Sequence, residues 1–375
     1  MTEERNTRAT TSDYAAVAAD RFKTADEIVR VTKFGAGRVN DTFLVSAAYS
    51  GKHFILQRIN QRVFSRPDLI MQNLRVLSEH VSVCSISNSP AGRRWEIPRV
   101  MLTGDGRDHW LDPGGNFWRA MSFIEDAVSF DSIKGLTHAS EVGFALGFFH
   151  TQVSGLRPLR LKDTLEGFHV TPIYLKRYVG VLARSNGPAS ADESYCVDFI
   201  EKRKDFAHVL ENARTEGKLP LRIIHGDPKV SNVMIDRRTD LAVSIVDLDT
   251  VKPGLLLYDI GDCLRSGCNP LGEDPETPED VHFEPEICRT LLKGYFSAAA
   301  KDSCCEHERK LIYDSIRLLA FELGLRFFTD YLEGNVYFKV GDPLQNLRRA
   351  LTQFRLTESI ESQSGALRSI IREET

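Results

Sequence analysis

The segment at residues 225–232, which reads His-Gly-Asp-Pro-Lys-Val-Ser-Asn, constrains the fold more than any other part of the sequence. It is a polar segment that follows an apolar run at residues 221–224 and leads, from its last residue, into a strand-like run at residues 232–236. Both runs have the length and composition of short β-strands. The sequence therefore predicts a polar loop that leaves one strand and enters another.

A third run, at residues 241–246, follows a polar turn and ends directly at Asp247. Pairing of this run with the strand that begins at Asn232 would form a β-hairpin. The hairpin would bring Asn232 and Asp247 together although fifteen residues separate them. We therefore expect these two side chains to serve one site.

The polar residues of this loop are those that phosphoryl transfer requires. In that chemistry an Asp accepts the proton of the attacking hydroxyl, and an Asn and a second Asp bind Mg²⁺. Asp227, Asn232 and Asp247 occur at that spacing, and Lys229 is placed to meet the transferring phosphoryl group. The alternative is that an Asp and an Asn in a loop only cap or turn the chain.

Composition and charge agree with a two-domain enzyme that acts on a small molecule. The chain has 375 residues, of which 42% are hydrophobic, and a formal net charge of −4 without a long basic block. Neither a nucleic-acid partner nor a membrane partner is expected from these values. Residues 1–11 lack an apolar signal core, so a soluble, cytoplasmic protein is expected. Seven cysteines without a Cys-x-x-Cys pair indicate reduced thiols.

The order of predicted elements indicates an α+β fold with two lobes. Residues 27–34, 42–47, 54–59 and 117–124 read as strands, with another strand near Val100 and a helix at residues 66–81. Helical patterns dominate later, at residues 138–152, 192–214, 284–300 and 306–332. We expect a sheet-rich N-terminal lobe at residues 1–125 and a larger helical C-terminal lobe at residues 126–375.

Two glycines, Gly35 and Gly37, lie in a turn between two predicted strands. Bare backbone amides in such a turn can cover nucleotide phosphates, with Asn40 and Thr42 following on the second strand. Most Gly-x-Gly turns between strands are hairpins without a ligand, which is the alternative here. The glycines do not open a helix, so the turn is not a dinucleotide-binding fingerprint.

The third predicted strand carries Gln57 where a kinase normally carries a Lys that contacts the α and β phosphates. A glutamine donates hydrogen bonds but brings no charge. Arg58, Lys229 or the metal ions would then have to neutralise more of the phosphate charge.

These segments together resemble the aminoglycoside phosphotransferase and choline kinase superfamily and, within it, the N-acetylhexosamine 1-kinases of bacteria. The catalytic loop is typical of the whole superfamily. The resemblance to the hexosamine kinases depends on Gln57, on the Asp-Leu-Asp at residues 247–249, and on the segment at residues 326–334.

The resemblance implies a protein-kinase-like fold that uses ATP and Mg²⁺. ATP would lie under the glycine turn, with its adenine near Phe123 and Glu125. Asp227 would take the proton of the anomeric hydroxyl of N-acetylglucosamine or N-acetylgalactosamine, and the product would be the sugar 1-phosphate. Asp249 and Arg326 are further candidates for binding the sugar, although Arg326 also fits a helix-surface residue that pairs with Glu322.

Two other functions remain open at the level of sequence. One is a kinase of the same superfamily that acts on an aminoglycoside, choline or an amino alcohol such as homoserine, and the other is a catalytically silent scaffold that binds a nucleotide. A protein kinase is disfavoured because no Phe-Gly follows Asp247. His225 is expected to pack and shape the loop, and Asp259 to brace it from below. The sequence leaves the oligomeric state open.

Overall fold

The computed structural model describes residues 11–22, 28–35, 39–48, 51–88, 92–185, 187–301 and 303–375. The chain divides into two compact units. The first comprises residues 1–75 and 98–125, and the second comprises residues 76–97 and 126–375. A strand-rich first unit and a mostly helical second unit confirm the predicted α+β class.

The first unit is built on an antiparallel sheet. Its elements are α1 Thr11–Arg21, β1 Ile28–Lys33, β2 Asp41–Ala47, β3 His53–Arg58, α2 Pro67–Asn88 (which begins in this unit), β4 Val100–Met101, β5 Trp110–Leu111 and β6 Phe117–Ser122. The strand order is β1-β2-β3-β6-β4, and β5 also pairs with β6. The strands agree with the predicted ones to within a few residues, because alternating apolar residues mark them clearly.

The two faces of this sheet differ in character. Paired residues of neighbouring strands point to the same side, so Phe43, Leu56 and Ala120 share one face. That face packs on α1 through Ala15, Ala18 and other buried residues and forms the hydrophobic core of the unit. The opposite face carries Thr42, Gln57 and Arg119 in adjacent register.

The second unit contains the predicted loop and hairpin. Its elements are β7 Ala127–Val128, α3 Leu136–Val153, α4 Thr171–Leu182, α5 Ala191–Glu201, α6 Val209–Thr215, β8 Leu221–Ile224, β9 Val233–Asp236, β10 Ala242–Ile245, β11 Lys252–Leu255, α7 Leu256–Gly267, α8 Pro285–Ala298, α9 Glu306–Lys310, α10 Ile312–Leu332, α11 Gln345–Ser362 and α12 Ser364–Glu374. Antiparallel pairing joins β9 to β10, and β8 to β11.

Glycines bring two long helices of this unit into close contact. A Cβ atom on Gly143 or Gly147 of α3 would lie 2.0 or 2.2 Å from a backbone oxygen of α8. A Cβ atom on Gly294 of α8 would lie 2.2 Å from the oxygen of Ser140 on α3. Only glycine permits this separation, because any larger residue would push the helices apart.

Two predicted helices are interrupted in the structure. The pattern at residues 192–214 divides into α5, a short 3-10 helix and α6, because Arg203 leaves helical backbone angles where its guanidinium pairs with Glu361 of α11. The pattern at residues 306–332 divides at Leu311. There Glu308 of α9 is fully engaged by Arg222 and by the amide of Cys305. In both places tertiary contacts outweigh helix propensity.

In the part of the chain that the structure describes, no helix combines the length and the apolar composition needed to cross a lipid bilayer.

Candidate active site

The polar loop at residues 225–232 is held from below by one buried carboxylate. The backbone amides of His225 and Gly226 donate to Asp259 of α7, over 2.6 and 2.8 Å, and His150 of α3 lies 2.8 Å from the same carboxylate. Burial opposes ionisation of Asp259, but its hydrogen bond and attraction to His150 outweigh burial and lower its pKa. A charged Asp259 therefore anchors the start of the loop.

His225 shapes the loop through both of its ring nitrogens. Nε2 lies 3.0 Å from the carbonyl oxygen of Val246, and Nδ1 accepts from the amide of Asp227 over 3.3 Å. Burial lowers the pKa of His225, so the ring is neutral with its proton on Nε2. The imidazole has no freedom to act as a general acid in this arrangement.

Glycine is required at position 226 by both the backbone angles and the neighbouring atoms. Its φ of +85° lies in the left-handed region, and a Cβ atom there would lie 2.7 Å from the carbonyl oxygen of Thr250. The Thr250 hydroxyl in turn donates to the carbonyl of His225 over 2.9 Å. Glycine is thus the residue that lets the chain turn into Asp227.

The carboxylate of Asp227 is oriented by two donors from its own loop. Lys229 Nζ lies 2.6 Å from Asp227 Oδ2, and Asn232 Nδ2 donates to the carbonyl and carboxylate oxygens of Asp227 over 2.7 and 3.2 Å. The carboxyl side chain of Asp227 is 26% exposed. It is therefore held in one orientation and still reachable by a substrate hydroxyl, as a general base must be.

Lys229 carries a permanent charge at this site. Burial disfavours the ammonium group, but the negative charges of neighbouring carboxylates outweigh this cost and raise the Lys229 pKa above its usual value. Those carboxylates belong to Asp227, Asp247 and Glu273. Lys229 is thus a fixed positive charge beside the proposed base.

Asn232 and Asp247 are brought together as the hairpin predicts. The amide of Val246 donates to the carbonyl of Asn232 over 2.8 Å, so Asp247 begins immediately beyond this backbone contact. Asp247 has a left-handed backbone with φ of 62° and is exposed. Because Nδ2 of Asn232 is engaged by Asp227, its Oδ1 is the atom suited to a metal.

The donor set of Asn232 and Asp247 fits Mg²⁺. This ion prefers oxygen ligands, keeps several waters, and is commonly held by one or two carboxylates together with substrate phosphates. Within the described residues no cluster of three or more His, Cys, Asp or Glu side chains could hold a metal alone. A magnesium site here would be completed by the nucleotide.

A network of charged side chains on and near α7 also acts on this loop. Arg265 donates to Asp262 over 2.8 Å and to Glu273 over 2.9 Å. The charge of Glu273 acts on Lys229, and the charge of Asp227 acts on Asp262. Burial raises the pKa of Asp262. No local sequence motif marks Arg265 or Glu273 as residues of the site.

A cavity of about 180 Å³ lies in the second unit. The guanidinium carbon of Arg326 on α10 is 4.9 to 5.9 Å from the ring centres of four aromatic residues around it. The lining residues are Leu165, Glu166, Tyr174, Arg177, Arg326, Thr329, Asp330, Tyr337 and Phe338.

Arg326 is charged, and its charge interacts with that of Asp227 in the loop. Burial opposes its charge, but Tyr174, Glu322 and Asp227 raise the Arg326 pKa. Glu322 itself is engaged by His169 and Thr171, over 2.9 and 2.7 Å. Arg326 therefore lines the cavity, and its binding of the acceptor stays a prediction.

Asp249 is not one of the described residues that line this cavity. It is 2% exposed, and its carbonyl accepts from the Thr164 hydroxyl over 2.7 Å. Its role in acceptor binding stays a prediction.

The candidate nucleotide residues lie in the first unit. Gly35 has φ of +70°, and Asn40 accepts from the amide of Asn60 over 3.0 Å, which ties the turn to the end of β3. Thr42 accepts from Gln57 over 3.1 Å. Gly37 lies outside the described residues.

Phe123 and Glu125 lie at the end of the first unit. The Phe123 ring packs edge-on against Phe34 and His53, with ring centres 5.9 and 5.6 Å apart. Glu125 accepts from the backbone amide of His53 over 3.2 Å, and its carboxylate lies 3.1 Å from the His53 ring. These contacts hold in place the segment that is predicted to bind adenine.

Comparison with known proteins identifies a family. A model of the APH phosphotransferase enzyme family matches residues 30–293. An aminoglycoside phosphotransferase from Alicyclobacillus acidocaldarius is similar in structure, with a TM-score of 0.61 and 12% identity over 99% of this chain and 100% of that chain.

Two further structures share the architecture. A choline kinase from Cryptosporidium parvum has a TM-score of 0.52 and 13% identity, over 91% of this chain and 92% of that chain. A Plasmodium vivax ethanolamine kinase has a TM-score of 0.50 and 12% identity, over 93% of this chain and 84% of that chain. At such identities the similarities concern the fold, and they confirm the predicted kinase-like architecture.

Proposed function

This chain belongs to the APH phosphotransferase enzyme family, and on that premise we propose that it is an ATP- and Mg²⁺-dependent kinase of a small molecule. The proposed acceptor is an N-acetylhexosamine, phosphorylated on its anomeric hydroxyl. The acceptor assignment is supported by the sequence resemblance to bacterial N-acetylhexosamine 1-kinases and by the cavity that Arg326 lines, since the charge of Arg326 interacts with that of Asp227.

The observation that carries the acceptor class is the charge of this cavity. Its half-buried charged group is a cation, Arg326, whose pKa responds to the charge of Asp227. A cationic acceptor such as choline or an aminoglycoside would be repelled there. A neutral sugar would instead receive hydrogen bonds from the guanidinium.

The acidic residues of the lining do not reverse this preference. Asp330 accepts from three backbone amides at residues 336–338 and from Asn346, over 2.8 to 3.0 Å, so its carboxylate serves the fold. Arg177 pairs with Glu333, and Glu166 is exposed. No buried carboxylate of the described lining is left to receive an ammonium group.

The size and the rings of the cavity also favour one sugar unit. A volume of about 180 Å³ is smaller than the roughly 300–1,000 Å³ of pockets for drug-sized ligands. A multi-ring aminoglycoside would not be enclosed in it. Tyr174, Tyr337 and Phe338 offer apolar faces against which a sugar ring or an acetyl methyl group can pack.

The loop geometry supports the following chemistry. As the acceptor hydroxyl attacks the terminal phosphorus of ATP, a new O–P bond forms, the bond to the bridging oxygen breaks, and ADP leaves. Asp227 accepts the hydroxyl proton, and the positive charge of Lys229 stabilises negative charge on the transferring group. Asn232 and Asp247 would hold Mg²⁺, which when bound neutralises phosphate charge.

The test is ADP release with MgATP across a panel of acceptors, followed by phosphorus NMR of the product. The panel contains N-acetylglucosamine, N-acetylgalactosamine, glucose, galactose, kanamycin, choline and homoserine. We expect turnover confined to the N-acetylhexosamines and an anomeric phosphate ester. Turnover with kanamycin or choline would overturn the acceptor assignment, and a scaffold would bind MgATP without releasing ADP with any acceptor.

A further inference from the structure

His169 is a buried residue that takes no part in the chemistry described so far, although its backbone is strained. It is 4% exposed, and its φ of 67° lies in the left-handed region. Residues other than glycine seldom adopt this conformation, and they keep it where surrounding contacts hold it, often at functional sites. The contacts of His169 therefore indicate what this conformation serves.

The ring of His169 holds one end of the peptide group that joins Gly226 to Asp227. Nε2 lies 2.7 Å from the carbonyl oxygen of Gly226. The N–H of the same peptide group, which belongs to Asp227, donates to Nδ1 of His225 over 3.3 Å. Two imidazole rings thus hold both polar atoms of this peptide group. Because the group is planar and includes Cα of Asp227, holding it fixes the position from which the carboxylate extends.

The other ring nitrogen of His169 contacts a carboxylate on α10. Nδ1 lies 2.9 Å from Glu322 Oε1, and the Thr171 hydroxyl donates to Glu322 Oε2 over 2.7 Å. The two groups that face the ring, a carboxylate and a carbonyl, are both acceptors, so the ring donates through both nitrogens. His169 is therefore a doubly donating bridge between α10 and the loop at residues 225–232.

His169 is also joined to the wall of the cavity. Arg326, which lines the cavity, follows Glu322 by four residues and so lies on the same face of α10. The ring of Phe168, directly before His169, has its centre 4.9 Å from the guanidinium carbon of Arg326. Tyr174, near the start of α4, also lines the cavity. The bridge thus connects the cavity wall to the loop that carries the proposed base.

We propose that His169 is a positioning residue for phosphoryl transfer, which orients Asp227 through the preceding peptide group and ties that orientation to the wall of the acceptor cavity. An acceptor held against Arg326 and the base that takes its proton then belong to one packed unit. Their alignment matters because a displacement of about 1 Å can slow a reaction on the order of 100-fold. This inference rests on the proposed function, because it gives Asp227 the role of the base.

The test is a double-mutant cycle of His169→Asn and Asp227→Asn in the full chain, with kcat measured for N-acetylglucosamine and radiolabelled MgATP. Asparagine tolerates a left-handed backbone but is too short to reach both Gly226 and Glu322. With Asp227 present, His169→Asn should lower kcat by about 10- to 100-fold and leave the KM of ATP within a few-fold of wild type. In the Asp227→Asn background it should lower kcat by less than about threefold, because His169 acts through that carboxylate.

A merely structural role would give a different result. The two losses would then multiply, and this outcome, like an unchanged kcat in His169→Asn, would overturn the inference. Arg203→Met is the control for lost stability, because it removes the ion pair with Glu361 elsewhere in the second unit. It should leave kcat unchanged at temperatures where the variant is folded.

A second variant covers the case in which His169→Asn does not fold. His169→Gln then replaces it in the cycle, because an amide donates from one atom and cannot bridge acceptors on opposite sides of the imidazole position. The losses should again fail to multiply. Wild-type protein that turns over no acceptor of the panel would overturn the proposed function itself. Turnover of another panel acceptor would overturn only the sugar assignment, and the cycle is then run with that acceptor.

Discussion

His169 and Glu322, which are 153 residues apart, form a buried contact beneath the loop at residues 225–232. His169 Nδ1 lies 2.9 Å from the Glu322 carboxylate, and His169 Nε2 lies 2.7 Å from the carbonyl oxygen of Gly226. A carboxylate and a carbonyl both accept, so both ring nitrogens carry protons and His169 is an imidazolium ion. Its backbone is left-handed, with φ of 67°. This pair fixes the residue that precedes Asp227.

The stability of the protein should depend on pH through this pair. Burial opposes the charge of His169, but Glu322 outweighs burial and raises the His169 pKa. A group whose pKa is raised in the folded state contributes stability that is complete below its unfolded-state pKa, about 6.5 for His. This stability is lost as pH rises through the folded-state pKa. The folded-state pKa of Glu322 is lowered. Its contribution to stability is therefore complete above the unfolded-state pKa of about 4.3 and is lost as pH falls through the folded-state pKa.

The measurement is urea unfolding of wild-type protein and His169→Gln at several pH values from 5.5 to 9. The wild type should be more stable by roughly 1–3 kcal/mol near pH 6, and this difference should shrink toward pH 9. Asp262 also acts on His169, so the comparison is repeated in an Asp262→Asn background. A difference that grows with pH would show that His169 is neutral in the folded protein, and one that does not vary with pH would show that folding leaves the His169 pKa unchanged.

Asp227→Asn should reduce kcat by roughly 10²- to 10⁴-fold, the usual contribution of a general base. The amide keeps the size of the side chain, so MgATP affinity should stay within a few-fold of wild type. Steady-state kinetics and calorimetry measure the two quantities. Asp342→Asn, at an exposed ion pair with Arg348, is the control and should be as active as wild type. Normal turnover of Asp227→Asn would exclude this residue as the base.

Asp247→Ala should remove the dependence of nucleotide binding on Mg²⁺. Wild-type protein is expected to bind ATP more tightly with Mg²⁺ than with EDTA, because Asn232 and Asp247 are the proposed metal ligands. In the variant the two affinities should be nearly equal. Asn232→Ala tests the second ligand in the same way. A strong Mg²⁺ effect in both variants would show that the metal binds elsewhere.

Gly226→Ala should cost both stability and activity. Its positive φ and the 2.7 Å approach of the Thr250 oxygen would both have to be relieved by movement of the loop that holds Asp227. Gly217→Ala is the matched control, because Gly217 has φ of +74° but no atom within 4 Å of the added Cβ. Both variants should lose about 1 kcal/mol from backbone strain, measured by chemical denaturation. Only Gly226→Ala should lose turnover and further stability.

Arg326→Met should raise the KM of the sugar acceptor by about tenfold or more while leaving the KM of ATP unchanged, because the variant loses a charged hydrogen-bond donor in the cavity. Thermal unfolding checks that the aromatic residues around position 326 still pack. Lys176→Met, at an exposed position on α4, provides the control. An unchanged acceptor KM would remove Arg326 from the acceptor site.

The sequence by itself determined the parts of the site that are local. The loop at residues 225–232 and the hairpin that carries Asn232 and Asp247 are contiguous in the chain, so apolar runs and turn residues were enough to predict them. The strands of the first unit were predictable for the same reason. The break at Leu311 was not, because it depends on the contacts of Glu308 with a distant strand.

Only the tertiary structure decided which distant residues meet. Arg119 reaches Gln57 through the register of two strands 62 residues apart, and His169 reaches Glu322 and Gly226 through the packing of α10 beneath the loop. The cavity around Arg326 likewise collects side chains from residues 165 to 338. Each residue alone looks like an ordinary polar or aromatic side chain. Their roles come from burial and from pairing across the fold, which depend on how helices and strands pack and not on local sequence pattern.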